Sequence, residues 1–567
     1  MVIRSIPIRL SRNLSRSPLP RCCRLFVSCA TDIEITEKDC ELFEYTSGRW
    51  IFNEHLRLAE RQLSFNVKEL QKAAAESVNQ PFSEVRSFRK FAEGGFNRVF
   101  EICMRDGTSV LARLPYPLTL PRRLAVASEV ATLDFIRSYG IPTPRVLDYC
   151  VEINPVGSEY MIMERVSGTA IGDSWFDLSE KERLKVLLQI VELEAKLFAL
   201  QLPASGSIYY ARDLSPNCPK IYIPNSDGQL CIGPYAGESW WFGERGDLDI
   251  DRGPHTHPSH VLEAPAKKEL AWIRAYGRPR YPFDRAYRGV FDYKKQDPKE
   301  HAKSLETYIR LAPYLVPPTS ELNSPILRHP DLQPHNIFVS ESFDVTGLID
   351  WQHSMVLPTF LVSGIPNSFQ NYKDKESLTF IPPRLPDDIE IMDMNERDRA
   401  LEQFRRRHVH FYYLGFTQRS NELHWQAIQQ EPSLLKRRIF NDAGNPWEGL
   451  NLTLQMDFVR ILESWDKVPA PRSDGALPAC PIVLEKQEIQ KLIAQDELLR
   501  EADAEMEGIN ELLGVASDGW VSNENFEIAK GTSESCRGQA FDAVADDPVE
   551  MEMTERHWPF DDWNEDE

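Results

Sequence analysis

Apolar residues return at near-helical spacing between Arg49 and Asn79 (Trp50, Phe52, Leu56, Leu58, Leu63, Phe65, Val67, Leu70), which predicts a short helical lead-in. The period then changes. Val85 to Phe91, Asn97 to Met104 and Ser109 to Leu114 read as β-type segments, divided by the turn signals Glu93-Gly94-Gly95 and Arg105-Asp106-Gly107. A helix over about 127–139, stopped by Gly140 and Pro142, precedes two strands near 146–151 and 160–164 that flank the turn at 154–157. Ser179, with Glu182 three residues on, opens a long amphipathic helix reaching Gln201. From Pro203 to Ser324 the chain is rich in Pro, Gly, Trp and Tyr, and helices are expected only near 263–276 and 298–314. Helical periodicity resumes at about 395–419, 432–440, 448–465 and 482–513. The last of these carries Ile489, Leu492, Leu499, Ala502, Met506, Ile509 and Leu513 on one stripe, expected to pack on its own domain, with Gly514 as its stop.

Composition narrows the class of protein. The 567 residues, 42% hydrophobic and 27% charged, can bury a sizeable core, and no apolar run approaches the ~18 residues of a spanning helix, which argues against an integral membrane segment. With 65 basic against 86 acidic residues the net charge is -21, which offers no footprint for nucleic acid. That charge is unevenly placed. Residues 1–30 contain six arginines, five serines and no acid, the composition of a mitochondrial transit peptide removed before Asp32, although a basic disordered start has the same composition. The last 27 residues hold eleven acids and only Arg556, and read as a solvated, disordered tail. The ten cysteines lack any C-x-x-C and read as reduced thiols, while His255, His257 and His260, interleaved with prolines, read as a loop rather than a metal site.

One stretch carries chemistry. In Leu327-Arg328-His329-Pro330-Asp331-Leu332-Gln333-Pro334-His335-Asn336, a His is followed by Asp two residues on and Asn five beyond it. In kinase catalytic loops that spacing lets Asp orient the attacking hydroxyl and accept its proton while Asn holds magnesium. Two short apolar runs, 337–339 and 345–349, then read as a hairpin that returns Asp350 beside the loop, where a carboxylate at a strand end would be the second metal ligand.

This region resembles the aminoglycoside phosphotransferase and choline kinase-like superfamily, with Ile349-Asp350-Trp351 in place of the protein-kinase Asp-Phe-Gly, and it looks most like a fungal, mitochondrial branch of it. The resemblance extends back through the first strands. It implies that Gly94, Gly95 and Asn97 form a nucleotide-phosphate hairpin, that Arg113 stands where the family presents a lysine, and that Glu129 on the following helix is its partner. Tyr160 to Val166, including Glu164, would be the interlobe strand and hinge against adenine.

The expectation is therefore an α+β, protein kinase-like, two-lobed fold. Its parts are a transit peptide (1–30), a helical extension (31–85), a β-rich small lobe (86–164), a helical large lobe (165–470), a C-terminal helical segment (471–540) and an acidic tail (541–567). The expected activity is transfer of phosphate from ATP, with Mg2+, to a hydroxyl of a small molecule, with Asp331 as base and Asn336 and Asp350 as metal ligands. The rival is a noncatalytic, kinase-shaped scaffold, favoured by Arg113 because arginine and lysine are not interchangeable at a fitted site.

Overall fold

Residues 41–567, apart from Arg472, are described by the computed structural model of the protein; the expected transit peptide lies outside them. The lead-in is two helices rather than one, α1 (Glu54–Arg61) and α2 (Val67–Ser77). Extended backbone at Gln62 ends the first, and the Asn66 side chain restarts the second by accepting from Glu69 N.

The small lobe follows the expected order. Strands β1 (Val85–Glu93), β2 (Asn97–Met104), β3 (Ser109–Pro115), β4 (Val146–Cys150) and β5 (Tyr160–Glu164) form one antiparallel sheet, ordered β1-β2-β3-β5-β4. Alternation sorts its side chains. Phe100, Ile102, Val110, Ala112, Leu114 and Ile162 pack with Leu70 and Ala74 of α2 on one face. Leu111, Met161 and Met163 face the other way, into a cluster shared with helix α3 (Leu124–Ser138). Arg113 has the parity of Leu111, so it points toward α3 and not into the α2 core.

Past the interlobe crossing, Gly168 adopts φ +91, and a Cβ there would fall 2.2 Å from the Val339 carbonyl oxygen. Helix α4 (Glu180–Phe198) starts on the expected capping box, with Ser179 and Glu182 satisfying each other's backbone. The stretch 203–324 holds more than the two expected helices, α5 (Pro258–Tyr276) and α6 (Pro298–Leu315). Strands Ser207–Tyr210, Ile221–Tyr222 and Leu230–Gly233 form a small sheet with the last strand in the middle, its Ile208, Tyr209 and Ile232 buried beside α3. Two- to four-residue strands among prolines and glycines give too short an alternation to read.

The large lobe adds α7 (Met394–Ser420), which packs on α4, then α8 (Glu422–Gln429), α9 (Ser433–Gly444) and α10 (Leu452–Glu463). A second core joins α5, α6, α9 and α10. Helix α11 (Lys486–Leu513) lays its apolar stripe on its own domain, with Leu492 and Leu499 against Leu452, Met456 and Val459 of α10.

The expectation of a disordered acidic tail is corrected. Helices α12 (Phe526–Ala543) and α13 (Pro548–His557) are followed by a segment whose Trp558 and Phe560 are buried beside Phe52 and Leu513. Its acids have basic partners distant in sequence: Glu565 pairs with Arg57, and Glu567 lies 3.7 Å from Arg288. Among the described residues no helix is long and apolar enough to cross a membrane.

Candidate active site

Two short ladders set the geometry. Pro325–Leu327 pairs with Val356–Pro358, and Ile337–Val339 lies between Thr169–Ala170 and Val345–Leu348. The loops 328–336 and 349–355 spring from the same pairs of strands, so Asp331 and Asp350 emerge side by side. The expected hairpin is present, and Ile349 N donates to Asn336 O at 3.0 Å across its base.

His329 fixes the loop 328–336. Its Nδ1 accepts from Asp331 N at 3.1 Å, which leaves the proton on Nε2 to donate to Ile349 O at 2.8 Å. One imidazole thus ties the backbone beside Asp331 to that beside Asp350. Burial pushes the His329 pKa down to about 4, so the ring is neutral at pH 7, with its one N–H engaged by Ile349 O. The Asn336 amide nitrogen donates to Asp331 O at 2.8 Å and Oδ2 at 3.3 Å, which leaves its Oδ1 as the atom able to serve a cation. Burial raises the Asp331 pKa against a hydrogen bond from Gln333, and the charge of Asp350 raises it further.

Beneath the loop, Arg328 is clamped inside the large lobe. It donates to Glu194 Oε1 at 2.7 Å, Val362 O at 2.8 Å and Tyr413 OH at 2.8 Å, and Tyr413 hydrogen-bonds to Glu194 in turn. Trp351 is fully buried and anchors the second loop through Nε1 to Leu348 O at 3.2 Å. Asp350, one residue earlier, adopts φ +66, a left-handed backbone that Asp tolerates better than most side chains.

Arg113 reaches this floor from the small lobe. It pairs with Glu129 of α3, the partner expected from sequence, and Nη2 donates to Asp350 Oδ1 and Gln352 Oε1, both at 2.7 Å. The Asn97 side chain lies 2.6 Å from Gln352 Oε1, and with its oxygen toward the guanidinium it accepts from Arg113 Nη2 at 2.7 Å and Nε at 3.1 Å. Burial alone would lower the Arg113 pKa, but Glu129 and Asp350 together raise it. Burial pushes Glu129 up to about 6 despite the pull of Arg113.

Above Asn97 the Gly94-Gly95 turn joins β1 to β2, with Gly94 N donating to Asn97 O at 2.9 Å, and a Cβ on Gly95 would meet nothing within 4 Å. Phe96 packs edge-on against His353 of the lower loop, whose Nε2 bonds to Leu120 O at 2.7 Å.

The structure therefore gathers Asn97, Arg113, Glu129 and Asp350, and separately Asp331 and Asn336, with His329 joining the two sets. Glu164 stands apart. Its carboxylate accepts from Arg145 N at 3.1 Å and pairs with Arg137 at 3.2 Å, and its own N–H donates to Arg145 O. Sequence reasoning missed Gln352 as a member of the cluster; it follows Asp350 by two residues, but its burial at 6% exposure has no signature in the sequence.

Residues 87–359 match the model of the phosphotransferase enzyme family (APH), which bears out the resemblance read from the loop motifs. The chain is also similar to a subtelomeric hrmA-associated cluster protein of Aspergillus fumigatus, 29% identical over 83% of this chain and 96% of that protein. It is 25% identical to altered inheritance of mitochondria protein 9, mitochondrial, of Eremothecium gossypii, over 70% of this chain and 76% of that protein. The mitochondrial placement expected from the basic start agrees with that name. Among solved structures, an aminoglycoside-3'-phosphotransferase of type VIII is similar at 15% identity and a TM-score of 0.31, over 66% of this chain and 99% of that one.

Proposed function

We propose that the protein is a mitochondrial, ATP- and Mg2+-dependent phosphotransferase acting on a hydroxyl of a small molecule. The observation that supports this most is that His329 ties the Asp331 backbone to the Ile349 carbonyl beside Asp350, while Asn336 is bonded to Asp331. Three oxygen-bearing side chains are held on two loops, with the Arg113–Glu129 pair facing them from the other lobe.

These residues fit magnesium. The Asp350 carboxylate is 44% exposed, the Asn336 amide oxygen is uncommitted to Asp331, and Mg2+ needs only one or two such protein oxygens beside phosphates. Asn336 and Asp350 would hold it, and it would supply positive charge against the charge that develops on the phosphoryl group during transfer. Asp331 orients the acceptor hydroxyl and takes its proton as the new O–P bond forms and the bond to ADP breaks. Its raised pKa makes it a better base than an ordinary aspartate. Arg113 supplies a fixed positive charge to phosphate oxygens, with Glu129 holding it. The turn at Gly94 and Gly95 leaves room for phosphate to approach main-chain amides.

A second reading has an observation of its own. Arg113 Nη2 is bonded to Asp350 Oδ1, an oxygen that a metal would use, which suits a scaffold that holds nucleotide without turnover.

The two separate in a metabolite screen that follows ATP consumption by the purified protein beside Asp331→Ala. The enzyme reading expects a hydroxylated acceptor whose phosphorylation falls about 10²–10⁴-fold in the variant, with an unchanged melting temperature. Equal ATP consumption by both proteins across a broad acceptor set would sink it.

A further inference from the structure

The glycine turn is held from outside the small lobe. Glu93, the last residue of β1, has a side chain only 2% exposed, and its Oε2 accepts from Thr46 N at 2.9 Å, Thr46 Oγ1 at 3.1 Å and Ser47 Oγ at 2.7 Å. Its Oε1 lies 2.9 Å from both Lys90 Nζ and Arg98 Nε. Arg98, in β2 on the other side of the turn, is fully buried and donates to Leu42 O at 2.9 Å. Both strand ends that carry Gly94 and Gly95 are therefore fastened to residues 42–47.

That segment is fastened in turn to the end of the chain. Residues 49–50 pair antiparallel with 520–521, Trp50 Nε1 donates to Asp518 Oδ2 at 3.1 Å, and Trp520 Nε1 donates to Tyr45 OH at 3.0 Å. Asn53 Nδ2 donates to Glu565 Oε1 at 2.9 Å, Trp563 N donates back to Asn53 Oδ1 at 2.9 Å, and Arg57 pairs with Glu565. The tail is mounted on the large lobe, where Arg285 donates to Asp561 O at 3.2 Å and Arg288 to His557 Nδ1 at 3.0 Å.

We infer that residues 42–61 are a brace linking the two lobes outside the hinge, that Glu93 is a positioning residue for the glycine turn, and that residues 558–567 set the turn's rigidity from the large lobe. A phosphate-binding turn gains affinity when its amides are ordered before the ligand arrives, since the ordering cost is then met by the fold. An acidic tail that repelled nucleotide would act through charge and weaken with salt. This one acts through fixed hydrogen bonds on the far side of the turn. The role in nucleotide affinity rests on the reading of the turn as a phosphate site; the brace itself does not.

Two full-length variants test it. Thr46→Val/Ser47→Ala removes the side-chain donors to Glu93, and Asp562→Ala/Glu565→Ala removes the carboxylates that accept from Asn53 N and from Asn53 Nδ2 and Arg57. Amide hydrogen exchange at residues 94–97 without nucleotide is expected to rise about tenfold in each, with exchange in α4 unchanged. In the same variants the KM for Mg-ATP, or its Kd where no acceptor is known, is expected to rise by a similar factor with kcat little altered. Wild-type exchange at 94–97 in the tail variant would overturn the brace. Faster exchange with unchanged affinity for ATP would overturn the positioning role. A wild-type protein that binds no ATP would remove the phosphate reading and the positioning role with it, and the exchange data would still decide the brace.

Discussion

Two largely enclosed arginines stand beside the loops that carry Asp331 and Asp350, and they differ in one respect. Arg328 and Arg113 each pair with a helix glutamate and donate to further partners, and each is about 10% exposed. Every partner named for Arg328 lies in the large lobe: Glu194, Tyr413 and the Val362 carbonyl. The partners of Arg113 are split, with Glu129 and Asn97 in the small lobe and Asp350 and Gln352 in the large one. The same guanidinium chemistry fastens a lobe in one case and bridges a cleft in the other. A bridge can exchange a partner when a ligand enters, whereas a fastening cannot without loss of the fold.

The largest expected effect tests the fastening. Glu194→Ala strands Arg328 without its carboxylate, and a loss of about 3–5 kcal/mol in urea unfolding is expected, against clearly less for Glu129→Ala because Arg113 keeps Asp350. Equal losses would erase the contrast. Next comes pH. Burial holds the folded pKa of His329 at about 4, below the ordinary imidazole value of about 6.5, so its neutral form stabilises the fold; that contribution is whole above pH 6.5 and is lost as pH falls toward 4. In His329→Gln, the fall in unfolding free energy between pH 7 and pH 4 should be smaller than in the parent by up to about 3 kcal/mol. A parallel pH curve for the two proteins would mean that the imidazole is not buried neutral.

The smallest effect belongs to the bridge. Arg113→Lys keeps the charge but loses the planar fork that spans both lobes, and a fall of about tenfold in kcat/KM is expected with little change in melting temperature. Full activity would show that the bridging geometry contributes nothing to the reaction, and that charge alone suffices.

What the sequence revealed follows the range of each interaction. The capping box of Ser179 and Glu182, the strands 97–104 and 160–164, and the spacing of His329, Asp331 and Asn336 are local, so they were readable. The resemblance implied Glu129 as the partner of Arg113, and the need for one is local, since a charged residue between apolar neighbours on a middle strand must be paired. Its contact with Asp350, 237 residues away, follows from how the lobes close, and periodicity carries no such information. The tail failed for the same reason. Its acids look unopposed locally, while Arg57, Arg285 and Arg288 lie hundreds of residues upstream. Trp558, Phe560 and Trp563 were the available signal, since three large aromatics in ten residues are costly to leave in water.

Asn53 and Trp563 are hydrogen-bonded across 510 residues, which has a consequence for the order of assembly. The apolar surface around Trp50 and Phe52 is covered only once Trp520, Trp558 and Phe560 have docked on it. The small-lobe sheet, built from contacts close in sequence, can form long before then. A chain in which that docking has not occurred would thus carry a folded sheet with an unanchored glycine turn.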